Sequence, residues 1–225
     1  MKTRLLILET SHRIGQIALA QGDTIVGQCS LDESRRHARD LAPTIKKLLQ
    51  EQGWQARDLE GVLVSRGPGT YTGLRVGLMS AKTLAYATGC SLLAINTFDA
   101  IFQQAPASPS NIDCIADAQQ DKVYVQRFGT NAEPLRILPF DSWLTAALKL
   151  GVSVTGPGLE RFLDRVGTLG VLPPETWLPK PASLLKLGLS RFLKGERDEL
   201  FAVEPLYLRA SSAEENWDKL KARKV

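Results

Sequence analysis

Hydrophobic positions along this chain of 225 residues alternate between two periods. A buried-type strand at 4–9 ends in the polar turn Thr10-Ser11-His12-Arg13, and a second strand follows at 14–20, where Ile17 and Leu19 alternate against Gln16. Gly22-Asp23 marks a tight hairpin turn before a third strand at 24–30. A charged loop, 32–36, then opens a helix over about 37–52. Leu41, Ile45, Leu48 and Leu49 keep the helical period there, Pro43 stands in the first turns and Gly53 ends the helix. Residues 61–65 read as a strand, 67–73 as a glycine-rich turn, the stretch to about 88 as a long helix and 90–95 as a further strand. Thr97 caps a short helix, 98–104.

At Ala105-Pro106-Ala107-Ser108-Pro109-Ser110-Asn111 the composition changes to that of a linker. Then the order begins again: strands at 112–116, 122–128 and 135–138, a helix at 142–150 capped by Asp141, a strand at 152–155, Gly156-Pro157-Gly158 and a helix at 159–165. Both halves read β-β-β-α-β-turn-α, three antiparallel strands followed by alternating helix and strand. The predicted fold class is α/β: two tandem ribonuclease-H-like domains with mixed sheets, the arrangement of actin, sugar kinases and heat-shock ATPases. The expected organisation is an N-terminal domain at 1–104, a linker at 105–111, a smaller C-terminal domain at 112–210, and a last helix and basic tail at 211–225. Helical periodicity over 182–194 and an extended Glu204-Pro205-Leu206-Tyr207-Leu208-Arg209 complete the second half.

The glycine-rich turn Gly67-Pro68-Gly69-Thr70-Tyr71-Thr72-Gly73-Leu74-Arg75-Val76-Gly77 is the organising stretch. Thr72 is a good N-cap candidate for the helix that follows. In that helix Gly73, Gly77, Ala81 and Ala85 stand at i, i+4, i+8 and i+12, a single row on one face. Interior glycine costs about 1 kcal/mol against alanine, so two in register imply that another backbone approaches closely. That backbone belongs either to the chain's own sheet or to a helix of a second protein. With the row exposed, Gly77→Leu would leave the fold intact and abolish partner binding.

Composition narrows the chemistry. The chain is 44% hydrophobic and 23% charged with a net charge of +4, an ordinary globular balance that permits a nucleic-acid neighbour without demanding one. No run approaches the roughly 18 apolar residues of a membrane span, and the short apolar start lacks a signal-peptide pattern, so a cytoplasmic location is expected. Cys29, Cys90 and Cys114 are far apart and form no CxxC pair. The two histidines, His12 and His37, have no ligand spacing, and no metal or cofactor is indicated.

Two nucleotide sites can be weighed. The glycine turn lacks the Gly-Lys-Ser/Thr of a P-loop, its third glycine is displaced from the dinucleotide fingerprint, and Pro68 removes an N–H. The first hairpin turn, Glu9, Thr10 and Ser11, and the opposing Asp117 turn are the weaker cleft candidates for nucleotide with magnesium. They support the alternative reading, an ATP-dependent small-molecule kinase or ATPase. A peptidase would need a nucleophile or metal set, and none stands out.

The run from Gly67 to Gly77 resembles the signature of the TsaB (YeaZ) family of tRNA threonylcarbamoyladenosine biosynthesis. Ile7-Leu8-Glu9-Thr10-Ser11, His37 with Leu41 and Pro43, Asp117-Ala118 with Val123-Tyr124, and Pro205-Leu206-Tyr207-Leu208-Arg209 are similar to further family motifs. The chain departs from the family at Glu9, where Asp is usual, and at Gln119, Gln120 and Asp121. The resemblance implies a scaffold subunit with no activity alone. It acts with TsaD, the threonylcarbamoyltransferase that modifies the adenosine next to the tRNA anticodon, and with the ATPase TsaE, while tRNA touches this chain indirectly or weakly. It also makes Leu41, Ile45, Leu48, Gly73, Val76, Gly77, Ser80, Ala81, Leu84 and Ala85 the expected partner interface, open to a homodimer through the same helices. Gly67, Pro68, Gly69, Thr70, Tyr71, Thr72 and Arg75 form the motif turn beside it.

Overall fold

The computed structural model describes residues 3–31 and 37–208, and for His37 and Ala38 the backbone alone. The charged loop 32–36, Arg209, and the expected last helix and basic tail at 211–225 lie outside the described residues.

Two five-stranded mixed sheets carry the fold. The first takes β1 (Arg4–Glu9), β2 (Gln16–Gln21), β3 (Thr24–Ser30), β4 (Gly61–Gly67) and β5 (Ser91–Asn96) in the order β3-β2-β1-β4-β5. The second takes β6 (Asn111–Asp117), β7 (Lys122–Gly129), β8 (Glu133–Pro139), β9 (Ser153–Thr155) and β10 (Gly170–Val171) in the order β10-β9-β6-β7-β8. Each sheet therefore has its first strand in the centre, antiparallel to the second and parallel to the fourth. The repeat is one of strand order, and β10, a strand not expected from the sequence, stands where β5 stands in the first sheet.

Helices α1 (His37–Glu51) and α2 (Tyr71–Thr88) cover one face of the first sheet. Period-2 alternation assigns the strand residues: Leu6, Leu8, Ile17, Leu19, Val62 and Val64 meet α1 and α2, whereas Leu5, Ile7, Ala18, Ala20 and Leu63 point the other way. That second face is filled by Ala100 of α3 (Thr97–Phe102) and by Leu184 and Leu185 of α6 (Pro181–Leu193). Sequence order puts residues 181–193 with the second half; the structure returns them to the first sheet. The physical reason is that β1, β4 and β5 are apolar on both faces and need two covers. Gly188 lets α6 come down on Leu63, where a Cβ would stand 2.6 Å from the leucine methyls.

In the second sheet, Ile115, Val123, Val125 and Val154 pack under α4 (Phe140–Leu150) and α5 (Leu159–Phe162). The opposite face meets α3: Phe98 and Ile101 pack on Cys114 and Ala116, and Phe102 stacks on Phe128 at 4.4 Å between ring centres. Helix α3 thus stands between the sheets and touches both. Three helix starts differ from expectation. The N-cap of α2 is Thr70 rather than Thr72, that of α3 is Asn96 rather than Thr97, and that of α4 is Pro139 rather than Asp141. No helix among the described residues is long and apolar enough to cross a membrane.

Candidate functional site

A cleft of about 900 Å3 lies where the first-strand turns and the Gly-Pro-Gly turns of the two halves converge. Ser11 and His12 line it from the end of β1, Pro68 to Tyr71 from the β4–α2 turn, Asp117 to Gln119 from the β6–β7 turn, and Pro157, Glu160 and Arg161 from the segment after β9.

The two Gly-Pro-Gly turns do the same structural job. Gly67 and Gly156 take φ of +120° and +112°, a region that a Cβ disfavours. A Cβ at Gly69 would run into the Ser11 carbonyl, and one at Gly156 into the Ile115 carbonyl. The Thr70 N–H donates to Ser11 O at 2.7 Å, and the Gly158 N–H to Ile115 O at 2.9 Å. Each turn is docked on the end of its half's first strand.

The small-residue row continues that docking. Added Cβ atoms at Gly73 and Gly77 would collide with the carbonyl and the hydroxyl of Thr10 respectively. Gly73, Gly77, Ala81 and Ala85 are all buried against the chain's own core, as are Leu41, Ile45 and Leu48 of α1. These seven residues are therefore corrected from surface to interior. What these glycines admit is Thr10, the residue after β1: its backbone at Gly73 and its side chain at Gly77. Val76, Ser80 and Leu84 remain half-buried.

The cleft carboxylates are also engaged. Glu9 is only 1% exposed and does not line the cleft, and neither does Thr10. Its Oε1 accepts the Ser11 N–H at 2.7 Å and the Ser11 hydroxyl at 2.5 Å, while Oε2 has no hydrogen-bond partner among the described residues. Burial pushes the carboxyl up from 4.5 to about 7, opposed by the Ser11 and Ser65 hydrogen bonds. Asp117 does reach the cleft. Its Oδ1 accepts the Gln119 N–H at 2.8 Å and its Oδ2 pairs with Arg161 at 2.8 Å. The turn after it is held with Gln119, Gln120 and Asp121 at φ of 60°, 50° and 55°. His12 pairs with Glu160 at 3.3 Å, linking the two halves. Among the described residues no three His, Cys, Asp or Glu side chains are grouped to hold a metal ion.

Sequence reasoning missed what closes the cleft. Leu206 and Tyr207 line it from the chain's later part. The Leu206 N–H donates to Arg66 O at 2.7 Å, the Tyr207 ring stacks on Tyr71 at 4.8 Å, and Arg75 Nε donates to the Tyr207 hydroxyl at 3.0 Å. The Arg75 guanidinium also lies 3.9 Å from the Tyr71 ring centre. The signal was present in the two motifs, each with one tyrosine and one arginine, but nothing in their spacing pairs them.

On the far side of α2 from the glycine row, Arg75, Met79, Thr83 and Tyr86 face outward. Met79 is 59% exposed and Tyr86 73%.

Residues 31–190 match the family model described as TsaD: tRNA N6-adenosine threonylcarbamoyltransferase. The tRNA threonylcarbamoyladenosine biosynthesis protein TsaB of Bacillus subtilis is 26% identical over 228 residues, covering 95% of this chain and 97% of that protein. This chain belongs to the TsaD family, in its TsaB (YeaZ) branch. The solved YeaZ from Pseudomonas aeruginosa shares the fold, with a TM-score of 0.73 at 24% identity over 92% of this chain and all of that one. A tRNA N6-adenosine threonylcarbamoyltransferase of Erythrobacter litoralis is 46% identical, but over only 63 residues, 28% of this chain and 18% of that protein. Likeness to TsaB-type relatives thus runs the whole length, and likeness to that transferase is confined to one stretch.

Proposed function

We propose that this chain is a non-catalytic subunit in tRNA threonylcarbamoyladenosine biosynthesis. It binds a TsaD-type transferase and thereby supports threonylcarbamoyl transfer to the adenosine next to the anticodon, with a TsaE-type ATPase joining the pair. The observation that carries the reading is the full-length match to TsaB-named relatives. The site geometry favours it over an ATPase. Glu9 is turned inward onto Ser11, away from the cleft, and Asp117, which lines the cleft, is engaged by its own turn and by Arg161, so only one of the two carboxylates reaches the space that a magnesium-bound phosphate would need. The binding surface is the outward side of α2, with Met79 and Tyr86, rather than the buried glycine row. When the partner is absent, a second copy can cover the same apolar side.

Reconstituted tRNA modification with the purified TsaD-type and TsaE-type proteins tests this. Adding the chain should raise the yield of modified tRNA at least about tenfold, and Met79→Glu should remove that gain while leaving the thermal melt unchanged. Equal yield with and without the chain would end the proposal, and magnesium-dependent ATP hydrolysis by the chain alone would favour the ATPase.

A further inference from the structure

The end of β5 and one face of α6 enclose a second cavity, of about 610 Å3, which shares no residue with the cleft described above. Arg66 and Asn96 stand at the carboxyl ends of the parallel neighbours β4 and β5, the side of an open α/β sheet on which ligands bind. Lys186 and Ser190, one turn apart on α6, line the cavity as well. Asp99 of α3 and Gln103 just after it complete its polar lining.

Five charged side chains line this cavity, and they divide into two groups. Arg191 and Asp198 belong to the edge of β5. Asp198 Oδ2 accepts the Ala94 N–H at 2.7 Å, Arg191 Nη1 donates to the Ala94 carbonyl at 2.9 Å, and the two side chains pair at 2.9 Å. Glu196, close by, is taken up by Arg191 at 2.8 Å. These groups satisfy the backbone of an edge strand and one another.

Arg66, Asp99 and Lys186 form the other group. Arg66 Nε donates to Asn96 Oδ1 at 2.8 Å, and Asn96 Nδ2 donates to Asp99 Oδ2 at 3.1 Å. Asp99 Oδ1 receives only a long bond, 3.4 Å, from Gln126 of β7. Among the described residues, the Nη atoms of Arg66 and the ammonium of Lys186 have no hydrogen-bond partner. The Asn96 amide thus turns its oxygen to a cation and its nitrogen to a carboxylate. It holds the two one amide group apart, each with bonding capacity left over.

A molecule lying beside that amide must repeat its polarity, negative toward Arg66 and Lys186 and positive toward Asp99. A simple anion meets the first demand and sets like charge near Asp99. A zwitterion meets both. In an α-amino acid the carboxylate and the ammonium sit on one carbon, a span close to that of an amide group. Burial raises the Asp99 carboxyl above its ordinary pKa, against the Asn96 and Gln126 bonds and the Arg66 charge. An ammonium beside it would offset that cost.

We propose that this cavity is a binding site for a free α-amino acid: Arg66 and Lys186 hold its carboxylate, Asp99 holds its ammonium, and Gln103 and Ser190 line the space for a polar side chain. A carboxylate on a guanidinium and an ammonium is the strong, charge-assisted kind of contact. The site stands independently of the subunit reading given above.

Titration calorimetry on the full chain tests it, with L-threonine and L-glutamine as probes. N-acetyl-L-threonine, which keeps only the carboxylate, and L-threoninamide, which keeps only the ammonium, are the single-charge analogues. At least one amino acid should bind saturably with a Kd of about 1 mM or below, and both analogues should bind about tenfold more weakly or worse than threonine. Arg66→Gln and Lys186→Met should each weaken amino-acid binding about tenfold or more. Asp99→Asn should remove the preference for threonine over N-acetyl-L-threonine. Lys46→Met, exposed on α1 across the first sheet, should bind as wild type. A thermal melt of each variant checks the fold. Should Arg66→Gln fail to fold, Lys186→Met and Asp99→Asn still decide the matter. Absence of saturable binding by either amino acid overturns the proposal. So does wild type binding N-acetyl-L-threonine as tightly as threonine, which would make the cavity a plain anion site. Equal losses in Lys46→Met and Lys186→Met would mean diffuse charge attraction and would overturn it too. None of these failures touches the subunit reading, which rests on tRNA modification.

Discussion

Glu9 offers the sharpest physical test of the interior beside the cleft. Its carboxyl is buried, is fed by two donors on one oxygen and by none on the other, and has its pKa raised to about 7. In the unfolded chain the group returns to about 4.5. Between those values the folded state binds a proton that the unfolded state has lost, so stability falls as pH rises. The contribution is fully present below pH 4.5, declines through the window to about 7, and is gone above it. Raising the carboxyl from 4.5 to about 7 corresponds to about 3 kcal/mol at most. Glu9→Gln is nearly isosteric, keeps an acceptor for Ser11 and does not ionise. Wild type and variant should therefore be similarly stable at pH 5, and the variant should gain up to about 3 kcal/mol relative to wild type at pH 8. For a chain of this length that is a relative rise in Tm of roughly 6–12 °C. Melting both proteins by scanning fluorimetry across pH 5–8 and taking the difference cancels every other titrating group. A difference that stays flat with pH would refute the argument, because it would mean that Glu9 is ionised in the fold throughout.

Three further outcomes follow from the packing. Gly77→Leu should destabilise the chain by several kcal/mol or prevent its folding, since any Cβ there meets the Thr10 hydroxyl; a soluble variant melting like wild type would contradict the buried position of the row. Arg127→Met should cost about 3–5 kcal/mol in denaturant unfolding, because it strands Asp113, which Arg127 holds with bonds of 2.6 and 2.7 Å in the interior. Asp117→Asn should change stability by no more than about 1 kcal/mol, since its pair with Arg161 is solvent-screened; it should also leave reconstituted tRNA modification unaltered, whereas loss of modification with an intact melt would give the cleft a catalytic part.

The sequence by itself determined the elements and their order. The apolar run in 4–9, the alternation at Ile17 and Leu19, the helical period through Leu41 and Ile45, and glycines at the turns each act over a few residues. Local spacing is enough to place them, and the duplicated strand order followed from the repeat of that order. The signature from Gly67 to Gly77 was legible because only glycine tolerates both the φ of Gly67 and the close approach at Gly69.

What each face meets was decided by tertiary structure alone. A row of small residues at i, i+4, i+8 and i+12 states that something comes close, but helical periodicity identifies a face without identifying its neighbour. Thr10, more than sixty residues earlier, proved to be that neighbour. The same limit hid the position of α6, whose apolar side suits either sheet until both faces of β1 and β4 need cover. It also hid the closure of the cleft by Tyr207, since the bond from Arg75 to Tyr207 joins residues 132 positions apart. The glycine-rich turn was expected to support a helix approached by another protein. In the fold its glycines make room for Thr10 and Ser11 just after the chain's own first strand, and the side of the helix that stays exposed is the one without glycine.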